Sequence, residues 1–284
     1  MRRNVLIILL IAGFCLAGLS SQAASSRYKK LAGPANAKLG TQAQIDVPVG
    51  YEFLDGATTR ALMKASGEPT SGDELGLLTP TNADWSVLFE FNDTGYVKDD
   101  DKNKLNADEL LQSIKKGTAE ANKERVRNGV APLEIVGWEV PPRYDEKTHN
   151  LEWAVRASSE GRQILNYNTR MLGRKGVMEV VLIVEPDQLN ETLPTFRNLL
   201  ANYSFQTGQT YAEFRSGDKV AKYGLAALVV GGAAVGAAKL GLLSGLFLIL
   251  KKGWKLVVLA VAAVIAAIKK MMSRIFGGRQ QTSS

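Results

Sequence analysis

The feature that most constrains this chain is the run YGLAALVVGGAAVGAAKLGLLSGLFLIL, Tyr223 to Leu250, in which Lys239 is the one charged residue. At 1.5 Å per residue, a helix of that length exceeds the ~30 Å hydrocarbon core of a bilayer. A membrane-spanning helix is therefore expected over 222–250. The cluster KKGWK, Lys251 to Lys255, follows, and a second apolar helix is expected within 254–276. That second run is short for a span, so it either returns through the bilayer as a hairpin or lies along the inner surface as an amphipathic piece. With the preceding domain outside, one crossing leaves KKGWK in the cytoplasm, as the positive-inside rule prefers.

The N-terminus, MRRNVLIILLIAGFCLAGLSSQAAS, joins a short basic region to an apolar stretch and then to small residues. This is the anatomy of a secretory signal peptide over 1–24, with cleavage near Ala23 or Ala24. Export places the following domain on the extracytoplasmic side of the inner, cytoplasmic membrane. The single cysteine, Cys15, lies inside that apolar stretch, leaving the mature domain without a disulfide or a thiol nucleophile.

The formal charge of +7 hints at nucleic-acid binding until it is mapped along the chain. Arg2 and Arg3 precede the first apolar run, nine further bases lie from Lys222 onward, and every acid falls at or before Asp218. The stretch between keeps 24 bases against 28 acids. A mildly acidic domain has the wrong sign for tracking phosphates, so nucleic acid is excluded as a partner. The basic residues instead flank apolar segments.

Between the apolar ends, 25–38 reads as a flexible leader, 39–206 as the soluble domain and 207–221 as a linker. Alternation predicts short strands around Ile45 to Phe53, and a strand from Trp85 to Phe91. A short helix is expected over 57–65, and a loop rich in Gly, Pro, Ser and Thr from there to about Asp84. The clearest helix runs from Ala107 to Asn128, with Asn106 and Glu109 placed for a capping box and Gly129 for the exit. Four strands in hairpin succession follow: 133–140, 151–157, 163–172 and 177–184. A last helix covers 186–202. Such an order argues for an α+β fold, an antiparallel sheet with covering helices. Its layout is similar to the Mog1, PsbP and DcrB group of small sandwiches.

Candidate chemistry is sparse. In DTGYVKDDDKNKLNADEL, Asp99, Asp101 and Asn103 occupy the first three ligand positions of a calcium loop, but Lys104 replaces the turn glycine and Leu110 the bidentate Glu. A solvated turn with a capping box is the plainer reading. His149, the only histidine, is expected exposed in a turn with Asp145 and Glu146. Carboxylate pairs such as Glu139 with Asp145, or Glu152 with Glu179, have the composition for glycosidase chemistry. GWEVPPRYD and NYNTRMLGRKG would form either one ligand-facing polar surface or the solvated face of the sheet. In the apolar run, Gly232, Gly236, Gly241 and Gly245 have the spacing for close helix packing, and Lys239 would pack against a partner helix, snorkel, or serve transport. Nothing in these patterns calls for a cofactor or a catalytic residue.

Several stretches, LGTQAQIDVPVGYEFLD, LGLLTP, DWSVLFEF, GWEVPPRYDEKTHNLEWA, LNYNTRMLGRKG and YAEFRSGDKVAKYGLAALVVGG among them, closely resemble the family called domain of unknown function 2167. The resemblance runs from about Leu39 to past Gly232. It implies an exported bacterial domain followed by membrane helices, and carries no assigned catalytic residue or cofactor. The expectation is a membrane-anchored cell-envelope protein, a non-enzymatic binding or structural module whose partners are the lipid bilayer and another envelope or membrane protein. An envelope hydrolase using a carboxylate pair and a small transport component acting through Lys239 are the alternatives.

Overall fold

The structure, a computed structural model, describes residues 30–65, 70–127, 129 and 131–231. The expected signal peptide, Gly232, Gly236, Lys239, Gly241, Gly245 and the second apolar run lie outside the described residues.

Among the described residues, eleven strands and four helices follow in chain order: β1 (Lys30–Ala32), β2 (Ala35–Leu39), β3 (Ala43–Val47), β4 (Tyr51–Asp55), α1 (Gly56–Ala65), β5 (Glu74–Pro80), β6 (Ser86–Asn92), α2 (Ala107–Arg127), β7 (Glu134–Asp145), β8 (Asn150–Ser159), β9 (Arg162–Leu172), β10 (Val177–Ile183), α3 (Leu189–Leu200), β11 (Tyr203–Phe205) and α4 (Leu225–Val230). Eight strands form one sheet in the order β1-β4-β5-β6-β10-β9-β8-β7, and β11-β3-β2 form a second. Every neighbouring pair is antiparallel.

Strand periodicity explains how the layers stack, because alternate side chains face opposite sides of a sheet. On one side of the large sheet, Val87, Phe89 and Phe91 of β6, Met178, Val180 and Leu182 of β10, and Leu165 and Tyr167 of β9 join Ile45 and Val47 of the small sheet and Leu189, Phe196 and Leu199 of α3 in one core. The opposite side carries two separate patches. Met63 of α1 meets Leu88 and Val181, while Leu110 and Ile114 of α2 and Leu225, Leu228 and Val229 of α4 meet Leu151, Trp153, Leu172 and Val177. The result is an α+β sandwich of antiparallel sheets, with helices on both sides of the large one.

Local chemistry sets the helix starts. Asp55 Oδ1 accepts the Thr58 N–H at 2.8 Å. Asn106 Oδ1 accepts from the N–H groups of Asp108 (3.1 Å) and Glu109 (3.3 Å), and Gly129 leaves α2 at φ 73°.

Three expectations need correcting. The supposed leader contains β1 and β2, because Ala37 and Leu39 alternate inward to 1% and 0% exposure. The supposed loop before Asp84 contains β5, an interior strand whose Gly76 and Pro80 disguised it. Gly76 is required there by the Phe53 ring on the adjacent strand, since a Cβ would stand 2.1 Å from the Phe53 Cζ. The third concerns the tail: 207–221 lies on the domain, with Tyr211 buried, and the first turns of the apolar run, α4, are core residues. Gly231 ends α4 in the left-handed region at φ 101°.

If α4 belongs to the core, Leu225→Ala lowers the stability of the full chain in detergent by about 2–5 kcal/mol. Denaturant titration followed by tryptophan fluorescence checks it. An unchanged midpoint would mean that α4 contributes nothing to the fold.

Candidate functional site

The two apolar patches on the side covered by α1, α2 and α4, called the helix-bearing side below, are separated by a polar row, and the register of the strands builds it. Glu74 of β5 pairs with Glu90 of β6, Glu90 with Glu179 of β10, and Glu179 with Arg170 of β9. Along β10, Glu179 stands between Val177 of one patch and Val181 of the other. Directly opposed cross-strand residues have Cβ atoms about 4.5–5.5 Å apart, so like charges here repel unless they are compensated.

Each member has a particular compensation. Glu74, fully buried, accepts the N–H groups of Ser71 (2.6 Å) and Gly72 (2.8 Å), and Arg60 of α1 stands 3.9 Å away. Glu179 accepts from Asn92 at 3.2 Å and pairs with Arg170 at 3.0 Å. Arg170 also lies over the Trp153 ring, 4.9 Å from its centroid. Glu90, the middle carboxyl, has the weakest support, a hydrogen bond from the Ser71 hydroxyl at 3.0 Å. Burial, with Glu179 and then Glu74 adding to it against the pull of Ser71 and Arg170, pushes its carboxyl up to about 7. A carboxyl balanced there can give or take a proton at neutral pH. The 71–73 turn closes one end of the row. Tyr223, half-buried near Thr94, Asn92, Glu179 and Arg170, stands at the other.

A second cluster joins the β7–β8 turn to the tail. The Tyr144 hydroxyl donates to Asp99 Oδ2 at 3.1 Å and lies 3.1 Å from His149 Nδ1. With its one hydrogen given to Asp99, the hydroxyl accepts from a protonated Nδ1. Burial and the Asp99 charge raise the Tyr144 phenol. His149, at φ 54°, is half-buried with its ring 4.4 Å from Tyr211, rather than exposed as its turn suggested. Tyr211 stacks in turn on Tyr96 (4.4 Å), and Tyr96 on Phe214 (4.3 Å). The four rings pin the tail to the sheet.

The calcium candidates turn inward to protein donors. Asp99 serves Tyr144, and Asp101 caps α4, accepting the Leu225 N–H at 3.0 Å and the Ala226 N–H at 3.2 Å. Gly224 permits this approach, since a Cβ there would lie 2.7 Å from both carboxylate oxygens. Asn103 sits in a short 3-10 turn, exposed. Among the described residues, no group of three His, Cys, Asp or Glu side chains is arranged to hold a metal ion.

Neither carboxylate pair named from sequence assembles. Glu152 and Glu179 face opposite sides of the large sheet, because Glu152 opposes Thr169 and Glu179 opposes Arg170, the next residue along β9. Glu152 is taken up by Arg143 (3.2 Å), Arg197 (3.5 Å) and the Tyr167 hydroxyl (2.7 Å), and burial with that bond pushes the phenol up to about 12. Glu139 binds Arg156 Nε at 2.9 Å, and Asp145 accepts the Lys147 N–H at 2.8 Å. On one extended strand the latter two stand roughly 20 Å apart. Of the sequences read as a possible polar surface, Asn166, Asn168 and Arg170 share the helix-bearing side of β9, and Arg170 belongs to the row.

The row itself was missed as a unit. Its signal was a glutamate set within apolar alternation, in WSVLFEF and again in VMEVVLI. Finding the third member needed β5, which had been read as loop.

The model of the family described as Protein of unknown function (DUF2167) matches residues 31–262. The chain belongs to that family. No curated protein matches it. A solved structure similar to this chain is the solution structure of cyanobacterial PsbP (CyanoP) from Synechocystis sp. PCC 6803, with 11% identity, a TM-score of 0.38 and coverage of 67% of this chain and 95% of that one.

Two predictions follow from the geometry. Glu90 titrates at about 7 when folded against an ordinary 4.5. Its folded form therefore holds the proton more tightly than its unfolded form, and stability falls as pH rises from about 4.5 to about 7, by roughly 3 kcal/mol. Glu90→Gln should flatten the melting temperature across that range, and a profile unchanged from the parent would refute the assignment. Asp101→Ala should lower stability by about 1 kcal/mol through loss of the cap, while adding calcium to the parent should leave its melting temperature unmoved. A calcium-dependent rise that the variant abolishes would restore the metal reading.

Proposed function

We propose that this protein is a membrane-anchored module of the cell envelope, its domain displayed outside the cytoplasmic membrane and working by binding or scaffolding rather than by catalysis. The observation that carries the reading is where α4 ends. α4 is seated in the second core and stops at Gly231, and 19 residues of the apolar run remain before Lys251. As a helix these would measure about 28 Å, close to the thickness of the hydrocarbon core. Among the described residues no helix is long and apolar enough to cross a membrane, so the proposed crossing falls on the stretch after Gly231.

The hydrolase alternative has one observation in its favour, the Glu90 carboxyl poised near neutral pH. Against it, Glu90 and Glu179 are neighbours on one sheet rather than acids facing each other across a cleft. Glu179 and Glu74 are also committed to Arg170, Asn92 and the 71–73 turn. Transport through Lys239 rests on the sequence alone.

Washing membranes with alkaline carbonate tests the anchor. The full chain should stay in the pellet, a chain stopped after Gly231 should be released from the envelope in soluble form, and protease added from outside should cleave the domain of the full chain. Release of the full chain by carbonate, or a domain untouched by external protease, would overturn the proposal.

A further inference from the structure

We infer that the surface formed by Tyr96, Phe214 and Val220, with the basic residues around it, docks onto a bilayer surface carrying anionic headgroups. This rests on the anchored reading above and adds an orientation to it: the domain would lie on the membrane by this face instead of swinging above it on a tether.

The tail that carries the face is held rigidly. Its Thr210 forms a bridge with Gly173, and Thr210 and Glu213 form a capping box over the following 3-10 turn. The Tyr211 hydroxyl donates to the Val97 carbonyl at 3.0 Å. Arg174 grips both Asp218 oxygens, at 2.7 and 2.8 Å, holding that carboxyl down at about 2. Val220 then bridges Tyr96 in parallel, with the Tyr96 N–H donating to Lys219 and the Ala221 N–H donating back to Tyr96.

A segment so well fixed has every means of burying its apolar side chains, yet it leaves two outside. Phe214 and Val220 are each 39% exposed, six residues apart, and Phe214 is the one phenylalanine exposed among the described residues. One side of the Phe214 ring rests on Tyr96. The cations are on the same ground. Arg215, Lys219 and Lys222 are exposed on the tail itself, Lys175 is next to Gly95 through its carbonyl, and Lys98, two residues beyond the bridged Tyr96, is exposed as well. The facing acids are fewer. Asp218 is neutralised by Arg174 and Asp93 is shared with Lys219, leaving Glu213, whose charge Thr210 and Gly208 hold in place, and the exposed Asp100.

A net basic surface on an otherwise acidic domain, centred on an exposed aromatic and an exposed aliphatic side chain, has the composition of an interfacial contact. Lipid is the occupant that the chain itself specifies, because the apolar run, with Lys239 as its one charge, continues past Gly231 within ten residues of Lys222.

The test uses the full chain in which Cys15→Ser is combined with a single cysteine for a fluorescent label, reconstituted into phosphatidylcholine vesicles with and without phosphatidylglycerol. Labels at Phe214→Cys, at Val49→Cys as an exposed control, and at Trp254→Cys in the KKGWK cluster are challenged with nitroxide-bearing lipids. The expected result is quenching at 214 and 254 but not at 49, with that at 214 dependent on phosphatidylglycerol. Changing Arg215, Lys219 and Lys222 together to Gln should lower the docked-to-free ratio at 214 by roughly a hundredfold. Quenching at 254 alone would overturn the docking and leave the anchor standing, whereas quenching at neither would remove both. Equal quenching at 214 with and without the anionic lipid would overturn the role of the cations. Protection of 214 in native membranes but not in vesicles would assign the face to a protein partner instead.

Discussion

Burial of β6 and β10 on both faces is the constraint from which most of this architecture follows. These strands lie in the interior of the large sheet, with α3 and the small sheet on one side and α1, α2 and α4 on the other. A polar side chain on such a strand is largely withdrawn from bulk water and gains most from a partner within the protein. Glu90 and Glu179 are half-buried there, and the elements around them are arranged accordingly. Arg170 arrives from β9, Asn92 from the end of β6, and the 71–73 turn folds back with two amides and a hydroxyl. The row divides the helix-bearing side into two apolar patches, so helices cover that side in two groups rather than as one continuous layer.

What could be read from the sequence was whatever depends on local periodicity. α2 was legible from Asn106, Glu109 and the spacing of Leu110 and Ile114, and the four hairpin strands were legible as apolar runs separated by the turn signals RYDEKTHN, SSEG and LGRKG. β5 was not, since Gly76 and Pro80 carry the marks of a turn. The reason for Gly76 lies on another strand, in the Phe53 ring that fills its missing side chain. The carboxylate row was illegible for a related reason. Composition supplies many glutamates, but only register says that 74, 90 and 179 oppose one another whereas 152 points the other way. A period of two cannot be phased across strands without knowing the pairs.

The tail shows the same limit with a different cause. Periodicity and hydropathy are blind to where an apolar run changes solvent, so Leu225 to Val230 looked like the first turns of a span. In the structure these residues complete the core that α2 alone cannot cover, over Leu151, Leu172 and Val177. A loop read as a possible calcium site supplies their anchor. A carboxylate that a cation would attract is equally suited to the free amides at a helix start. Asp101 is used in that way, and Gly224 leaves room for it.

This arrangement bears on how such a module would transmit force or position. A tether joined through a loose linker lets its domain rotate freely, and pulling on it straightens the linker at little cost. Here the last described turn is held by core packing, by the Asp101 cap, by the Arg174–Asp218 pair and by four stacked rings. Tension applied at Gly231 would have to draw Leu225 and Leu228 out of the second core before the domain could yield. The cluster of Asp99, Tyr144 and His149 lies directly against that stack through the contact of the His149 ring with Tyr211.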